Sequence, residues 1–481
     1  MGFCKNDHYP AKMQGKNRLT GDQGISAEVS YLRDMKRFLI LAALLLSVIP
    51  VRAQEGYVPS AANLAAREQF AADRFGIFIH WGLYAQPGRG EWVMQTQNID
   101  YREYARLAGS FYPSKFDARA WVKAIKAGGA RYITITSRHH DGFSLFRSAA
   151  SSYNAADGTP FGRDILAELA EACREEGIRL HFYYSHVDWG RTDYWPRGRT
   201  GLGTGRPDGQ AGDWQHYQAF MLAQLTELLT QYGPVGAIWF DGVWDHDAQP
   251  REAQPGIWGL YDQYALIHRL QPGCLIGNNH HLNPFPGEDI QIFERDVPGE
   301  NTAGYSGESG ISRLPLETCQ TMNRSWGYNI TDRDYKSADE LIRYLARTAA
   351  KGANLLLNIG PRPDGTLPDE ALERLAEMGK WLEINGESIY GTQAGDIAEQ
   401  PWGVSTRKGN VLYLHLLDPS VLPASGRLTV ELPAGARSPK LREAVLLDGG
   451  SPVPFRQEKG TVTLTIPPFS GADRVVALRF R

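Results

Sequence analysis

Cysteine is scarce, with four residues in a chain of 481. Cys4 precedes the apolar N-terminal run, and Cys173, Cys274 and Cys319 are widely spaced and odd in number. That excludes a disulfide framework and offers no zinc spacing, so buried free thiols are expected. Excess charge is missing as well: 51 Lys and Arg against 54 Asp and Glu leave a net charge of −3. No basic stripe exists for a nucleic-acid backbone, and no nucleic-acid partner is expected. The apolar run from Phe38 to Ile49 is too short to span a bilayer. There are no internal repeats or low-complexity tracts, and no Gly-x-Gly-x-x-Gly follows the first strand-like run, which counts against a dinucleotide fold.

What is present begins with a targeting pattern in an unusual position. Met35-Lys36-Arg37 forms a basic start, residues 38–49 are apolar, and Val51-Arg52-Ala53 precedes Gln54. This reads as a secretory signal cleaved after about Ala53, with Met35 as the true start and residues 1–34 upstream of it. The expected location is outside the cell or in the periplasm. Aromatic residues are plentiful, with 12 Trp and 22 Tyr. They suit either a sugar cleft or a large core.

From about residue 75 to 360, short apolar runs alternate with amphipathic stretches. Strands are expected over 75–81, 131–137, 179–185, 236–241, 274–279, 289–294 and 354–359. Helices are expected over 118–127, 164–176, 214–232, 338–350 and 368–384, with Asp117 and Ser337 as N-caps and glycines at the ends. Such alternation, close to eight units, predicts an α/β fold with a parallel (β/α)8-type TIM barrel over residues 54–391. After about residue 391 only short strands remain: 411–416, 427–432, 443–447, 461–466 and 474–480. They predict a small C-terminal β-sandwich over 392–481, packed on the barrel.

In such a barrel, chemistry gathers at the C-terminal strand ends. Those ends carry Phe78, His80 and Trp81; Arg138-His139-His140-Asp141-Gly142; Tyr183-Tyr184-Ser185-His186 with Asp188-Trp189; Trp239 and Asp241; and Glu294-Arg295-Asp296. Carboxylates, imidazoles and indoles at one mouth fit glycoside hydrolysis. A retaining enzyme needs a carboxylate nucleophile and a carboxylic acid roughly 5–5.5 Å apart. Competing readings exist for each part. An Asp after a strand also caps helices. His139 and His140 resemble metal ligands, but strand neighbours face opposite ways, and no His-x-His or His-Glu-x-x-His is present.

Several runs, in order, resemble the family-29 glycoside hydrolases, the α-L-fucosidases. They are Phe75-Gly76-Ile77-Phe78-Ile79-His80-Trp81-Gly82, Glu91-Trp92, Arg138-His139-His140-Asp141-Gly142-Phe143, Tyr183-Tyr184-Ser185 with Asp188-Trp189, Trp239-Phe240-Asp241-Gly242, Ser325-Trp326-Gly327-Tyr328, and Asn354-Leu355-Leu356-Leu357-Asn358-Ile359-Gly360-Pro361 with Asp364-Gly365. The resemblance covers about residues 57–392.

It implies retaining exo-hydrolysis of terminal α-L-fucose from an oligosaccharide or glycoconjugate, through a covalent fucosyl-enzyme on Asp241, with no cofactor and no metal. It implies that His80, Glu91, Trp92, His139 and His140 hold the sugar hydroxyls, that one of Tyr183 and Tyr184 enters the pocket, that Trp239 and Trp326 form its walls, and that Phe78 faces the C6 methyl. For the acid/base, Glu294 closes its strand, Glu300 lies in a loop able to swing over the pocket, and Glu288 precedes the strand. The loop over 189–213, rich in Gly and Arg, is the expected determinant of linkage preference. A barrel glycosidase for another sugar, such as a galactoside, and a silent glycan-binding protein are the alternatives.

Overall fold

The computed structural model describes residues 56–481 except 211, 247–248, 307–309 and 433–439. The expected signal segment lies outside the described residues. Eight parallel strands form one sheet: β1 Phe75–Ile79, β2 Tyr132–Arg138, β3 Arg179–Ser185, β4 Ala237–Asp241, β5 Leu275–Asn279, β6 Gln291–Glu294, β7 Leu316–Thr321 and β8 Ala353–Ile359. Their order is β5-β4-β3-β2-β1-β8-β7-β6. A parallel bridge from Gly277 to Ile290 brings β5 to β6 and closes the barrel.

Strands such as β1 and β4 read as near-continuous apolar runs because both faces are covered, by helices outside and by packed side chains inside. Ile77, Ile133 and Ile238 are wholly buried, and each such side chain contributes about 1.5–3 kcal/mol relative to exposure. Inside the barrel, Phe78, Tyr132, Tyr183, Trp239, Ile290, Ile292, Cys319 and Leu356 share one cluster. Gly76 makes this possible, since a Cβ there would stand 2.4 Å from the Tyr132 ring.

The helices start where their caps predict. Asp117 accepts from Ala120 N–H ahead of Ala118–Ala127, and Asp164 from Ala167 N–H ahead of Ile165–Glu176. Ser337 and Glu340 form a reciprocal capping box on Ala338–Ala350. Gly177 ends its helix in the left-handed conformation at φ 69°.

Strict alternation fails in two places. Among the described residues no helix lies between β5 and β6 or between β6 and β7, where loops run instead. These two loops rise at the mouth of the barrel.

The chain ends in two antiparallel sheets, of five and three strands, with a core of their own around Trp402, Leu414, Val462 and Leu478. They dock on the barrel through Arg343, which donates to the carbonyls of Leu417 at 3.1 Å and Ala472 at 3.0 Å. No described helix is long and apolar enough to cross a membrane.

Candidate active site

A cavity of about 420 Å³ opens at the C-terminal ends of the strands. Asp241 ends β4 at its floor. The turn after it requires Gly242, whose φ is +104° and whose Cβ would lie 2.7 Å from Val187 Cγ2. Trp244 Nε1–H donates to Asp241 Oδ1 at 2.8 Å, and the Tyr183 hydroxyl donates to Oδ2 at 2.9 Å. Burial and the charge of Glu294 push Asp241 up to about 6, against these two donors.

Glu294 ends β6. Its Oε2 accepts from Asn279 Nδ2 at 2.9 Å and faces His281 Nε2 at 3.1 Å. Burial works against its charge, but the hydrogen bond and charge of His281, then Asn279 and Arg295, hold it below the usual carboxylate range. The same Asn279 amide lies 3.4 Å from Asp241 Oδ1. One side chain therefore joins the two carboxyls, and the two oxygens are at most about 6.3 Å apart.

Burial also keeps three imidazoles uncharged, holding His80 and His140 down at about 3 and His139 well below its ordinary value. Their tautomers follow from the network. Asn358 Nδ2 donates to Trp326 O at 2.7 Å, so its Oδ1 faces His80 Nδ1 at 2.6 Å and accepts that proton. Ser185 Oγ gives its hydrogen to Val187 O at 2.8 Å, so His140 Nδ1 donates to Ser185 Oγ at 2.7 Å. In both rings Nε2 remains as an acceptor. Glu91 is held by the Gly327 N–H at 2.8 Å, and burial raises its pKa. Phe78 packs edge-on against Trp239 and Trp326, with centroids 5.1 and 6.1 Å away, and makes an apolar corner.

Phe78, His80, Glu91, Trp92, His139, His140, Tyr183, Trp239, Asp241, Glu294 and Trp326 all line the cavity. Two expected residues do not. Tyr184 points the other way, as alternate residues of a strand must; its hydroxyl donates to Gln224 Oε1 at 2.9 Å beneath the Arg138 guanidinium. Glu300 is drawn off by Arg347, which donates to it at 2.7 Å from the helix Ala338–Ala350. Glu288 is structural: it accepts from the Tyr264 hydroxyl at 2.7 Å and from Phe285 N–H at 3.1 Å.

Arg295, named among the strand ends, also lines the cavity, and sequence reasoning missed Trp244, Asn279, His281, Tyr305, Cys319 and Arg199, which line it too. Arg199 comes from the expected 189–213 loop. Asn279 ends β5, so the strand-end rule applied to amides as well as acids would have found it. Among the described residues no three His, Cys, Asp or Glu side chains are grouped to hold a metal ion.

The family profile described as alpha-L-fucosidase matches residues 44–387. An alpha-L-fucosidase of Branchiostoma floridae is 30% identical over 471 residues, covering 88% of this chain and 94% of that protein. Among solved structures, alpha-L-fucosidase isoenzyme 1 from Paenibacillus thiaminolyticus superposes with a TM-score of 0.76 at 35% identity, over 87% of this chain and all of that one (100%). A family-29 enzyme from Bacteroides thetaiotaomicron, trapped as a covalent intermediate with 2-fluoro-fucosyl fluoride in a Glu-to-Gln variant, superposes with a TM-score of 0.75 at 28% identity, over 90% and 100% of the two chains. The chain belongs to the α-L-fucosidase family of glycoside hydrolases, family 29.

Proposed function

We propose that the protein is a retaining exo-α-L-fucosidase in which Asp241 is the nucleophile and Glu294 the acid/base. The observation that carries this reading is the Asn279 amide reaching both carboxyls, at 3.4 and 2.9 Å. A span of at most about 6.3 Å admits the ~5–5.5 Å of retaining enzymes and stays below the ~6.5–9.5 Å across which inverting enzymes hold a water.

In the first step an Asp241 oxygen attacks the anomeric carbon while Glu294 gives its proton to the glycosidic oxygen. The C1–O bond breaks and a fucosyl ester forms. In the second step the Glu294 carboxylate takes a proton from water, the oxygen of that water attacks C1, and Asp241 leaves with retention. His80 and His140 Nε2 accept from sugar hydroxyls. Trp239 Nε1 is a buried N–H with no protein partner, which a sugar oxygen would satisfy. Phe78, Trp239 and Trp326 receive the C6 methyl.

Asp241→Gly tests the assignment. Turnover of an aryl fucoside should fall by about 10³-fold or more, and azide should restore part of it with a β-fucosyl azide as product. Turnover near wild type would sink the reading. We also infer export with cleavage after about Ala53. Secreted protein beginning at Gln54 would support this, and one that keeps residues 35–53 would overturn it.

A further inference from the structure

Glu294 has two opposite tasks in that cycle. It gives a proton to the departing oxygen, then takes one from water. His281, Asn279 and Arg295, however, hold Glu294 below the usual carboxylate range against the effect of burial. A proton must reach it as the substrate seats.

His281 is placed to supply it. Its Nε2 lies 3.1 Å from Glu294 Oε2. Its backbone sits at φ 62°, a left-handed conformation that few non-glycine residues adopt and that is kept where function over-determines it. The ring faces Tyr305 with centroids 5.4 Å apart. The two side chains are 20% and 15% exposed, so the pair stands at the mouth, where an acceptor sugar would cover it. The preceding residue, His280, turns away to Glu288 at 3.1 Å.

We propose that His281 is a positioning residue that holds the proton Glu294 delivers, the pair carrying one proton that rests on Nε2 in the open site and moves to Oε2 when substrate covers it. This deepens, and rests on, the reading of Glu294 as acid/base. The transfer balances. The Nε2–H bond breaks with its electron pair left on nitrogen, an O–H bond forms on Glu294, and the total charge is unchanged. An ion pair becomes a neutral pair.

Expelling water penalises the separated charges more than the neutral pair, which sets the direction of transfer. In the open site the groups around His281 are Glu294 from β6, Asp241 from β4, Tyr305 from the following loop, and Arg295 beside Glu294. After the second step Glu294 again holds a proton, and it returns to Nε2 as product leaves.

Two substitutions suit the left-handed backbone: His281→Asn, which keeps an amide donor but cannot carry the proton, and His281→Gly. The measurement is kcat/KM against pH for 4-nitrophenyl fucoside and for an alkyl fucoside with a poor leaving group. In both variants the alkaline limb should move down by about one pH unit or more. The alkyl fucoside should lose about tenfold or more and the nitrophenyl fucoside far less. Added imidazole should move the limb of His281→Gly back.

An unmoved limb, with equal losses on both substrates and no effect of imidazole, would overturn the proposal. Glu294→Ala separates the two claims. If that variant fails to discriminate between the leaving groups, the acid/base assignment itself is wrong. If it discriminates and neither His281 variant does, only the role of His281 falls.

Discussion

Replacing Glu317 with Gln should stabilise the protein, and increasingly so as pH rises. Glu317 stands on β7, two residues before the cavity-lining Cys319, so it shares the inward face of that strand. It pairs in register with Ile292 and Asn354. It is wholly buried, and neither carboxyl oxygen has a hydrogen-bond partner. Burial alone pushes it up to about 8. The folded value is therefore above the unfolded one of about 4.3. Below about pH 4.3 both states hold the proton and nothing is lost. Between there and about pH 8 the unfolded chain ionises and the folded one does not, so stability declines by about 1.4 kcal/mol per pH unit.

At pH 8 the accumulated cost is on the order of 4–5 kcal/mol, an upper bound because the interior relaxes around a charge. Gln never ionises, and the Tyr132 hydroxyl and Asn354 Oδ1, also without partners, offer acceptors for its amide. Melting followed at pH 5 and pH 8.5 should show wild type and Glu317→Gln close together at the lower pH. At the higher pH the variant should melt several degrees above wild type, at roughly 2 °C or less per kcal/mol in a chain of this length. A gap that is the same at both pH values would refute the reasoning, and so would a variant less stable at pH 8.5.

Other outcomes follow from the same structure. Because burial and Glu294 raise Asp241 to about 6, and the nucleophile must be ionised, kcat/KM should fall as pH drops through about 6; a flat profile down to pH 4 would contradict this. Gly242→Ala should cost about 2–3 kcal/mol or more, from left-handed strain and from the Val187 contact at 2.7 Å, as read by thermal melting. Glu300→Ala should leave activity on alkyl and nitrophenyl fucosides within about twofold, since its carboxyl pairs with Arg347; selective loss of the alkyl substrate would restore it as the acid. An α-L-galactoside, which adds a hydroxyl where Phe78 and the indoles make an apolar corner, should react about 10–100-fold more slowly than the fucoside, the cost of an unpaired hydroxyl.

The alternation of strands and helices was legible wherever apolar periodicity was strong. Helices Ala118–Ala127 and Ala338–Ala350 fall where their caps and glycines predict. Strand β7 escaped because its sequence, Leu-Glu-Thr-Cys-Gln-Thr, buries polar residues on both faces, leaving no hydrophobic pattern to read. The helix Ala61–Asp73 escaped because its buried side is thin, with only Asn63, Phe70 and Asp73 inside. In the site, Asp241 and Glu294 were readable from the rule that chemistry gathers at strand ends. Tyr183 and Tyr184 differ only in which face each presents, and the register of β3 decides that. Glu300 could be set aside only once Arg347, 47 positions away, was seen to hold it. Asn279 was open to the same strand-end rule applied to amides, but His281, an imidazole in the turn after β5, gave no signal of its own until the strands brought the Glu294 carboxyl to it.

The most direct test is to trap the nucleophile. Wild-type protein incubated with 2-fluoro-fucosyl fluoride should gain the mass of one fluorofucosyl group, and peptide mapping should place that group on Asp241. A label on Glu294, on Glu91 or on no residue, in protein that still turns over an aryl fucoside, would contradict the account.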